Sequence, residues 1–326
     1  MDPAHNPLCT PTAMAFSPDG QRLVVGTNCS PGSRAADDVC AISVIDVATG
    51  IETMKLAAGG SRIAAVAFSP DGTSLACGTA FGDVRVWRAA NGDIQWEERA
   101  HQDSVSSLAY SPDGRLLASV GERYDDAYND ESTLKVWSAS RGAVVWADDT
   151  LPDCVRAVAF SPDGHLLATP DLRSIRLMDA VTGCDRGRFR DAHQGGTFSL
   201  MFSPDSALLV SGGRDQTAAL WDVAGRALVH RLSGHADTVH SVAFSPDGNQ
   251  VASADRRAAR TWDVQKGSPL LVLEGRQPSV DQVLYSPTKP LLATRTYLDS
   301  IQVCDAATGE SPRMIWPPHA SAAPAD

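Results

Sequence analysis

The sequence predicts an all-β chain folded as a seven-bladed β-propeller of four-stranded antiparallel blades, and three observations carry that expectation. A turn of the type Phe-Ser-Pro-Asp-Gly recurs with its aromatic residue at Phe16, Phe68, Tyr110, Phe160, Phe202, Phe244 and Tyr285. The spacings between those aromatics are 52, 42, 50, 42, 42 and 41 residues, a period of roughly 42 with two insertions of roughly eight to ten. Each period holds four short runs rich in β-branched and aromatic residues, punctuated by turn signals, which is the content of one blade.

The elements of a unit follow in order. The first strand, as in Val239–Phe244, ends at the recurrent turn. There Pro presets φ, Asp accepts backbone bonds and Gly tolerates a left-handed exit. Two copies are eroded, Ser203-Pro204-Asp205-Ser206 and Ser286-Pro287-Thr288-Lys289. A second strand follows, as in Leu116–Val120 or Gln250–Ser253. The third ends in a pair such as Trp221-Asp222, Trp262-Asp263, Trp87-Arg88, Trp137-Ser138, Ile45-Asp46, Met178-Asp179 or Cys304-Asp305. A turn such as Ala48-Thr49-Gly50 or Ala307-Thr308-Gly309 then leads to a fourth strand, as in Ala227–Leu232. One propeller therefore spans residues 12–316, with repeats starting near 12, 63, 105, 155, 197, 239 and 280. Residues 1–11 read as an N-terminal tail and 317–326 as a disordered C-terminal tail. Ser311–Trp316 supplies the last unit with its own fourth strand, so the ring is expected to close by packing the first blade on the last. Pairing of that segment with Val303 is the mark of this phase.

Composition narrows the function classes. With 43% hydrophobic and 21% charged residues in 326, the chain can bury a large core. Lys+Arg 28 against Asp+Glu 39 gives a net charge of −11, which argues against nucleic acid and against an anionic membrane surface as partners. No apolar run reaches the roughly 18 residues of a membrane helix, and Met1–Thr10 lacks the cationic start of a secretory signal. The seven cysteines contain no Cys-x-x-Cys, so neither a zinc knuckle nor a disulfide scaffold is expected, and the expected compartment is a reducing cytoplasm. Cys29 and Cys40 do bracket a loop that a disulfide could close.

Gly234-His235, Ser253 and Trp262-Asp263 in one unit, and His193, Ser211, Asp215 and Trp221-Asp222 in another, give the chain its resemblance to the WD-repeat family. Only four of the seven units keep the third-strand Trp, and Gly-His is complete once. The units around Ile45, Met178 and Cys304 look closer to looser bacterial propeller repeats with an Ile-Asp-x-x-Thr-Gly turn. The resemblance implies a buried series in each well-kept blade, in which Trp indole, Ser hydroxyl, His ring and turn Asp hydrogen-bond in sequence. It maps onto His193, Ser211, Asp215 and Trp221, then partially onto His235, Ser253 and Trp262 with Asp255 one residue out of register. A third copy is His101, Ser119 and Trp137, with Glu131 at the Asp position. A His-Ser-Asp set also has the composition of a catalytic triad, yet a set repeated in graded copies reads as architecture.

Other chemistry is sparse. There is no Gly-x-Gly among the 26 glycines, and no phosphate-loop, nucleophile-elbow or zincin motif. No catalytic residue, metal or cofactor is therefore assigned. Both insertions fall between the second and third strands, at Asn28–Cys40 and Glu122–Glu131, and the resemblance places them on the face that carries the blade-to-blade loops. The second holds five carboxylates, one Arg and two Tyr in ten residues. It suits a lip for a basic partner, with Tyr124 and Tyr128 as anchors beside Asp125 and Asp126, or a solvated loop. Strand-start charges on that face, Arg62, Asp103, Asp153, Arg156 and Asp237, with Arg214 and Arg256 on nearby turns, should ring the central opening. Trp96, Trp146 and Trp316 are expected to pack blade edges.

Three functions fit. The first is a non-catalytic scaffold or recognition module for protein or peptide partners, monomeric or part of a larger complex. The second is an enzyme or small-molecule binder using the central pocket. The third is a sensor domain acting with a bacterial signalling protein.

Overall fold

The computed structural model describes residues 9–29, 40–123, 131–152, 155–274, 280–296 and 300–317. Among them, all regular structure is β: twenty-eight strands form seven four-stranded antiparallel sheets, each built from four consecutive strands. The inner strands are Cys9–Phe16, Ile63–Phe68, Val105–Tyr110, Ala159–Phe160, Thr197–Phe202, Ser241–Phe244 and Val280–Tyr285. The first begins at Cys9, paired with Cys29, three residues ahead of the expected start at Thr12.

Period-2 alternation along the inner strand explains the packing. The turn aromatic and the apolar residue two positions before it enter a buried cluster in every blade, for example Phe202 with Leu200 and Phe244 with Val242. Each of the seven clusters is shared between two neighbouring blades. The core is thus a ring of blade interfaces rather than one central mass. Trp96 and Trp146 on outer strands belong to this packing. Their indoles donate to the carbonyls of Ala139 and Ala180 in the next blade, at 2.7 and 3.2 Å.

One face is nearly uniform. At its turns a serine hydroxyl donates to the aspartate two residues on, at 2.5–2.6 Å, in six blades from Ser17–Asp19 to Ser245–Asp247. That bond, followed by the backbone N–H two residues beyond the acid, holds Asp19, Asp71, Asp113, Asp205 and Asp247 below the usual carboxylate range.

The eroded seventh turn serves the seam instead. Thr288 Oγ1 donates to the Asp19 carbonyl of blade 1 at 2.8 Å. The outer strand of blade 7 is Arg313–Trp316, paired through Val303↔Arg313, so the last blade is completed by its own segment. Met14, Leu23 and Ile45 of blade 1 share a cluster with Ile301, Ile315 and Trp316 of blade 7. Gln282 fastens the seam further, accepting from Met14 N–H at 3.1 Å and donating to Met14 C=O at 3.0 Å. The Cys29 side chain lies outside the described residues, and with it the pairing to Cys40.

Candidate recognition site at the channel mouth

The face opposite the Ser-Asp turns carries the blade-to-blade loops and the turns between second and third strands. Its geometry follows from one position, four residues before the turn aromatic. The residues there are Thr12, Ala64, Ser106, Arg156, Phe198, His240 and Asp281, one per blade and all different. In five blades the inner-strand register slips across this residue: Thr12, Ala64, Ser106, Phe198 and Asp281 each stand unpaired inside a shift. A β-bulge of this kind leaves one residue out of the ladder and re-aims its side chain. In blades 4 and 6, Arg156 and His240 precede the paired stretch. Six of the seven line a central cavity of about 250 Å³, and the seventh, Phe198, adjoins it.

The mouth is therefore lopsided. Blades 1–3 contribute small residues, and Thr12 and Ser106 spend their hydroxyls on the Ile63 and Val155 carbonyls of the following blade. Blades 4–7 contribute an arc of large polar and aromatic groups. The Arg156 guanidinium lies 5.1 Å from the centre of the Phe198 ring, and Phe198 meets His240 edge-on at 5.3 Å. Burial, reinforced by Arg256, holds the His240 ring below its ordinary value, so it is neutral at pH 7. Asp281 pairs with Arg295 at 3.1 Å, and Arg295 also donates to the Pro11 carbonyl at 2.8 Å. Burial raises the Asp281 carboxyl against the pull of Arg295.

Of the rim charges named from sequence, the structure brings Arg156 and Arg214 together at one cleft between blades 4 and 5. Arg62 is exposed beside the start of its strand and close enough to oppose the charge of Arg295. Asp103 is half-buried in the turn before Val105. Asp237 is half-buried and accepts the Thr238 N–H at 2.7 Å. Tyr124, Asp125, Asp126, Tyr128 and Asp153 lie outside the described residues, as does most of the acidic insertion.

The triad-like sets are internal. His193 bonds Asp215 through Nδ1 and Ser211 through Nε2, both at 2.8 Å, and Trp221 Nε1 donates to Ser211 Oγ at 2.9 Å. Ser211 is fully buried, so no substrate has an approach to its hydroxyl. The His-Ser-Trp part of the series recurs through His235, Ser253 and Trp262 at 2.6 and 2.7 Å. Asp255 lies 3.1 Å from His235 Nδ1, a close contact without hydrogen-bond geometry, and accepts the Ala236 N–H instead. In the third copy His101 meets Ser119 at 2.7 Å and Trp137 donates to Ser119 at 2.9 Å. There Thr133 contacts His101 Nδ1 at 2.5 Å, while the Glu131 side chain lies outside the described residues. Burial lowers all three rings, His101 to about 3. These histidines are neutral struts.

A family model described as WD domain, G-beta repeat matches residues 52–88, 93–138, 149–179, 180–222 and 226–263, more than half of the chain. The chain belongs to the WD-repeat family. The matched segments end at the third strands of blades 2 to 6, and blades 1 and 7 of this WD-repeat propeller have the same four-stranded build. The chain is 26% identical to rat Telomerase protein component 1 over 277 residues, 85% of this chain and 8% of that protein. To rice Small ribosomal subunit protein RACK1y it is 30% identical over 117 residues, 35% of this chain and 33% of the relative. To the Xenopus tropicalis U3 small nucleolar RNA-associated protein 15 homolog it is 30% identical over 129 residues, 38% of this chain and 24% of the relative. It thus spans a third or less of these relatives' lengths.

Sequence reasoning singled out Arg156 in the arc and missed Phe198, His240 and Asp281. The available signal was the repeat itself, since counting back four residues from each turn aromatic names all seven.

Proposed function

We propose that this WD-repeat propeller is a non-catalytic recognition module that holds a protein or peptide partner over the channel mouth, as one component of a larger cytoplasmic assembly. One observation carries the reading. The turn aromatic and the apolar residue two before it repeat in all seven blades, whereas the bulged position on the same strand is different in every blade. Identity is kept where blades pack and abandoned where side chains face the mouth. A rigid disc with one uniform face and one individual face suits selective docking. The names of three relatives, a ribosomal subunit protein, a telomerase component and a small nucleolar RNA-associated protein, support a role inside an assembly. All three of those names involve RNA-containing particles, so RNA belongs in the test.

The experiment is a quantitative pull-down from source lysate with and without ribonuclease. It compares the intact chain with a mouth variant (Arg156→Ala, Phe198→Ala, His240→Ala) and an opposite-face variant (Arg115→Glu, Asn249→Asp). The expected result is loss of captured proteins only with the mouth variant. Loss only with the opposite-face variant, or capture that needs RNA throughout, overturns the proposal.

A second reading, a small-molecule site in the channel, is favoured by one observation: Asp281 Oδ1 is buried without a hydrogen-bond partner among the described residues. A metabolite thermal-shift screen of the intact chain against Asp281→Asn tests it, and a hit that shifts both equally counts against it.

A further inference from the structure

Resting on the recognition reading, the structure leads us to propose its partner chemistry: the cleft between blades 4 and 5 takes an acidic, extended segment of a partner protein, with an apolar side chain set among its carboxylates. The cleft encloses about 250 Å³ at the edge of the channel mouth. Arg156, Arg173 and Arg214 line it, and among the described residues no Asp or Glu does. In a chain of net charge −11 that is a local reversal of sign. It points away from the basic partner that the acidic insertion suggested.

The three arginines are held differently. Arg156 lies over the Phe198 ring at 5.1 Å, a cation–π contact that orients its guanidinium. Arg214 stands on the turn between second and third strands of blade 5, its backbone N–H bonded to the Gly196 carbonyl at 3.1 Å. Its side chain crosses the loop where a Cβ on Gly195 would come within 3.1 Å of its Cδ. Gly195 has a φ of +84° and leaves the space that this course needs. Arg173 has a loose, exposed contact with Asp191 at 3.9 Å, weak enough for a better-placed carboxylate to displace.

Between these charges the lining is apolar. Leu172 is 64% exposed and sits at a φ of +54°, a left-handed conformation rarely taken by a branched side chain. Strain of that order persists where surrounding structure enforces it, and it clusters at ligand-gripping turns. A Cβ on Gly196 would meet nothing within 4 Å, so the backbone there is open to the cleft. The forked guanidinium groups of Arg173 and Arg214 match carboxylates bidentately, Arg156 adds positive charge beside them, and Leu172 with Phe198 offers an apolar seat. A purely polyanionic chain would leave that seat empty.

The test is a random-dodecapeptide display selection on the full chain, followed by fluorescence anisotropy of the enriched peptides and of a labelled (U)12 RNA. Enriched peptides are expected to carry two or more Asp or Glu flanking Leu, Phe or Tyr. Reversal of two of the exposed arginines, Arg173→Glu with Arg214→Glu, should weaken them by at least about tenfold, and raising salt should weaken them further. Arg115→Glu on the opposite face should change binding less than about twofold. Thermal melts of each variant confirm that the fold is intact. Should Arg173→Glu/Arg214→Glu melt early, Arg214→Gln alone, which keeps the backbone bond to Gly196, replaces it with a threefold or greater loss expected. Enrichment of basic or uncharged peptides, insensitivity to Arg214, absence of any enrichment, or tighter binding of the RNA overturns the proposal. Any of these outcomes with protein capture still dependent on the mouth removes the acidic-segment inference and leaves the recognition reading standing. Loss of both removes both.

Discussion

Ser211→Ala tests whether the His-Ser-Trp series is a stabilising strut. Ser211 Oγ is fully buried and holds two groups at once, His193 Nε2 at 2.8 Å and Trp221 Nε1 at 2.9 Å. With Asp215 ionised and accepting at His193 Nδ1, the ring proton sits on Nδ1, so Ser211 donates to Nε2 and accepts from the indole. Replacing the hydroxyl with a hydrogen therefore orphans one acceptor and one donor that water cannot reach. At about 1–3 kcal/mol for each of the two unsatisfied buried groups, the loss is about 2–6 kcal/mol. For 326 residues the unfolding entropy is about 0.7 kcal/mol/K, which converts the loss into a melting point about 3–9 °C lower.

A double-mutant cycle separates orphaning from general damage. Trp221→Phe keeps an aromatic ring against Phe189, now 5.4 Å away, but removes the indole N–H. Ser211→Ala in that background should cost about 1–2 kcal/mol less than in the parent, because one of the two groups it orphans is already gone. Urea unfolding followed by tryptophan fluorescence and circular dichroism gives all four corners. A single-mutant cost below about 0.5 kcal/mol, or additivity of the two changes, would refute the reasoning.

Other expectations are as follows. The lowered ring of His101 makes the native state bind fewer protons than the unfolded chain below about pH 6.5, where a free histidine titrates. Its contribution is complete above that pH and falls by about 1.4 kcal/mol per unit as pH drops toward about 3, so His101→Gln should flatten the urea-midpoint profile between pH 6 and 4.5. Gly121→Ala and Gly213→Ala place a Cβ 2.1 and 2.2 Å from ring carbons of His101 and His193, and each should cost roughly 3 kcal/mol in denaturant titrations. Gly164→Ala meets no neighbour and should lose only the roughly 1–2 kcal/mol of its left-handed backbone. Gln282→Ala removes both bonds across the seam and should lower stability by about 1–3 kcal/mol, with limited proteolysis opening first beside blades 1 and 7.

The fold was legible because its signal is repeated. A single Ser-Pro-Asp-Gly turn is weak, but five of them and two eroded copies at a period of roughly 42 fix the number of blades, and the segment after Ser311 fixes the closure. What escaped was set by geometry rather than by residue type. The start at Cys9 depends on pairing with Cys29, a residue that the sequence assigns to the Asn28–Cys40 insertion rather than to a strand. Thr133 reaches the His101 ring because the third strand passes beside it, which no spacing rule announces. The buried Asp281–Arg295 pair joins an inner strand to its neighbour. Charges were sought in loops, where solvated residues are expected, and this pair lies on strands. Leu172 gives no sign in sequence of its left-handed backbone.

The bulged position shows how one scaffold separates stability from recognition. Along the inner strand, period 2 would place the residue four before the turn aromatic on the same side as the two that build the blade interfaces. None of the seven residues there belongs to a buried cluster: in five blades the register shift turns the site toward the mouth, and in blades 4 and 6 it precedes the paired stretch. A substitution at this position changes the face offered to a partner and leaves the interfaces between blades in place. The same substitution two residues later strikes a packed core, where a truncation costs about 2–5 kcal/mol. His240→Ala should therefore leave the melting temperature within a degree or two while altering binding, and Val242→Ala should do the reverse. A destabilised but binding-competent His240→Ala would mean that the arc of Arg156, Phe198 and His240 serves the fold, and the recognition reading would lose its footing.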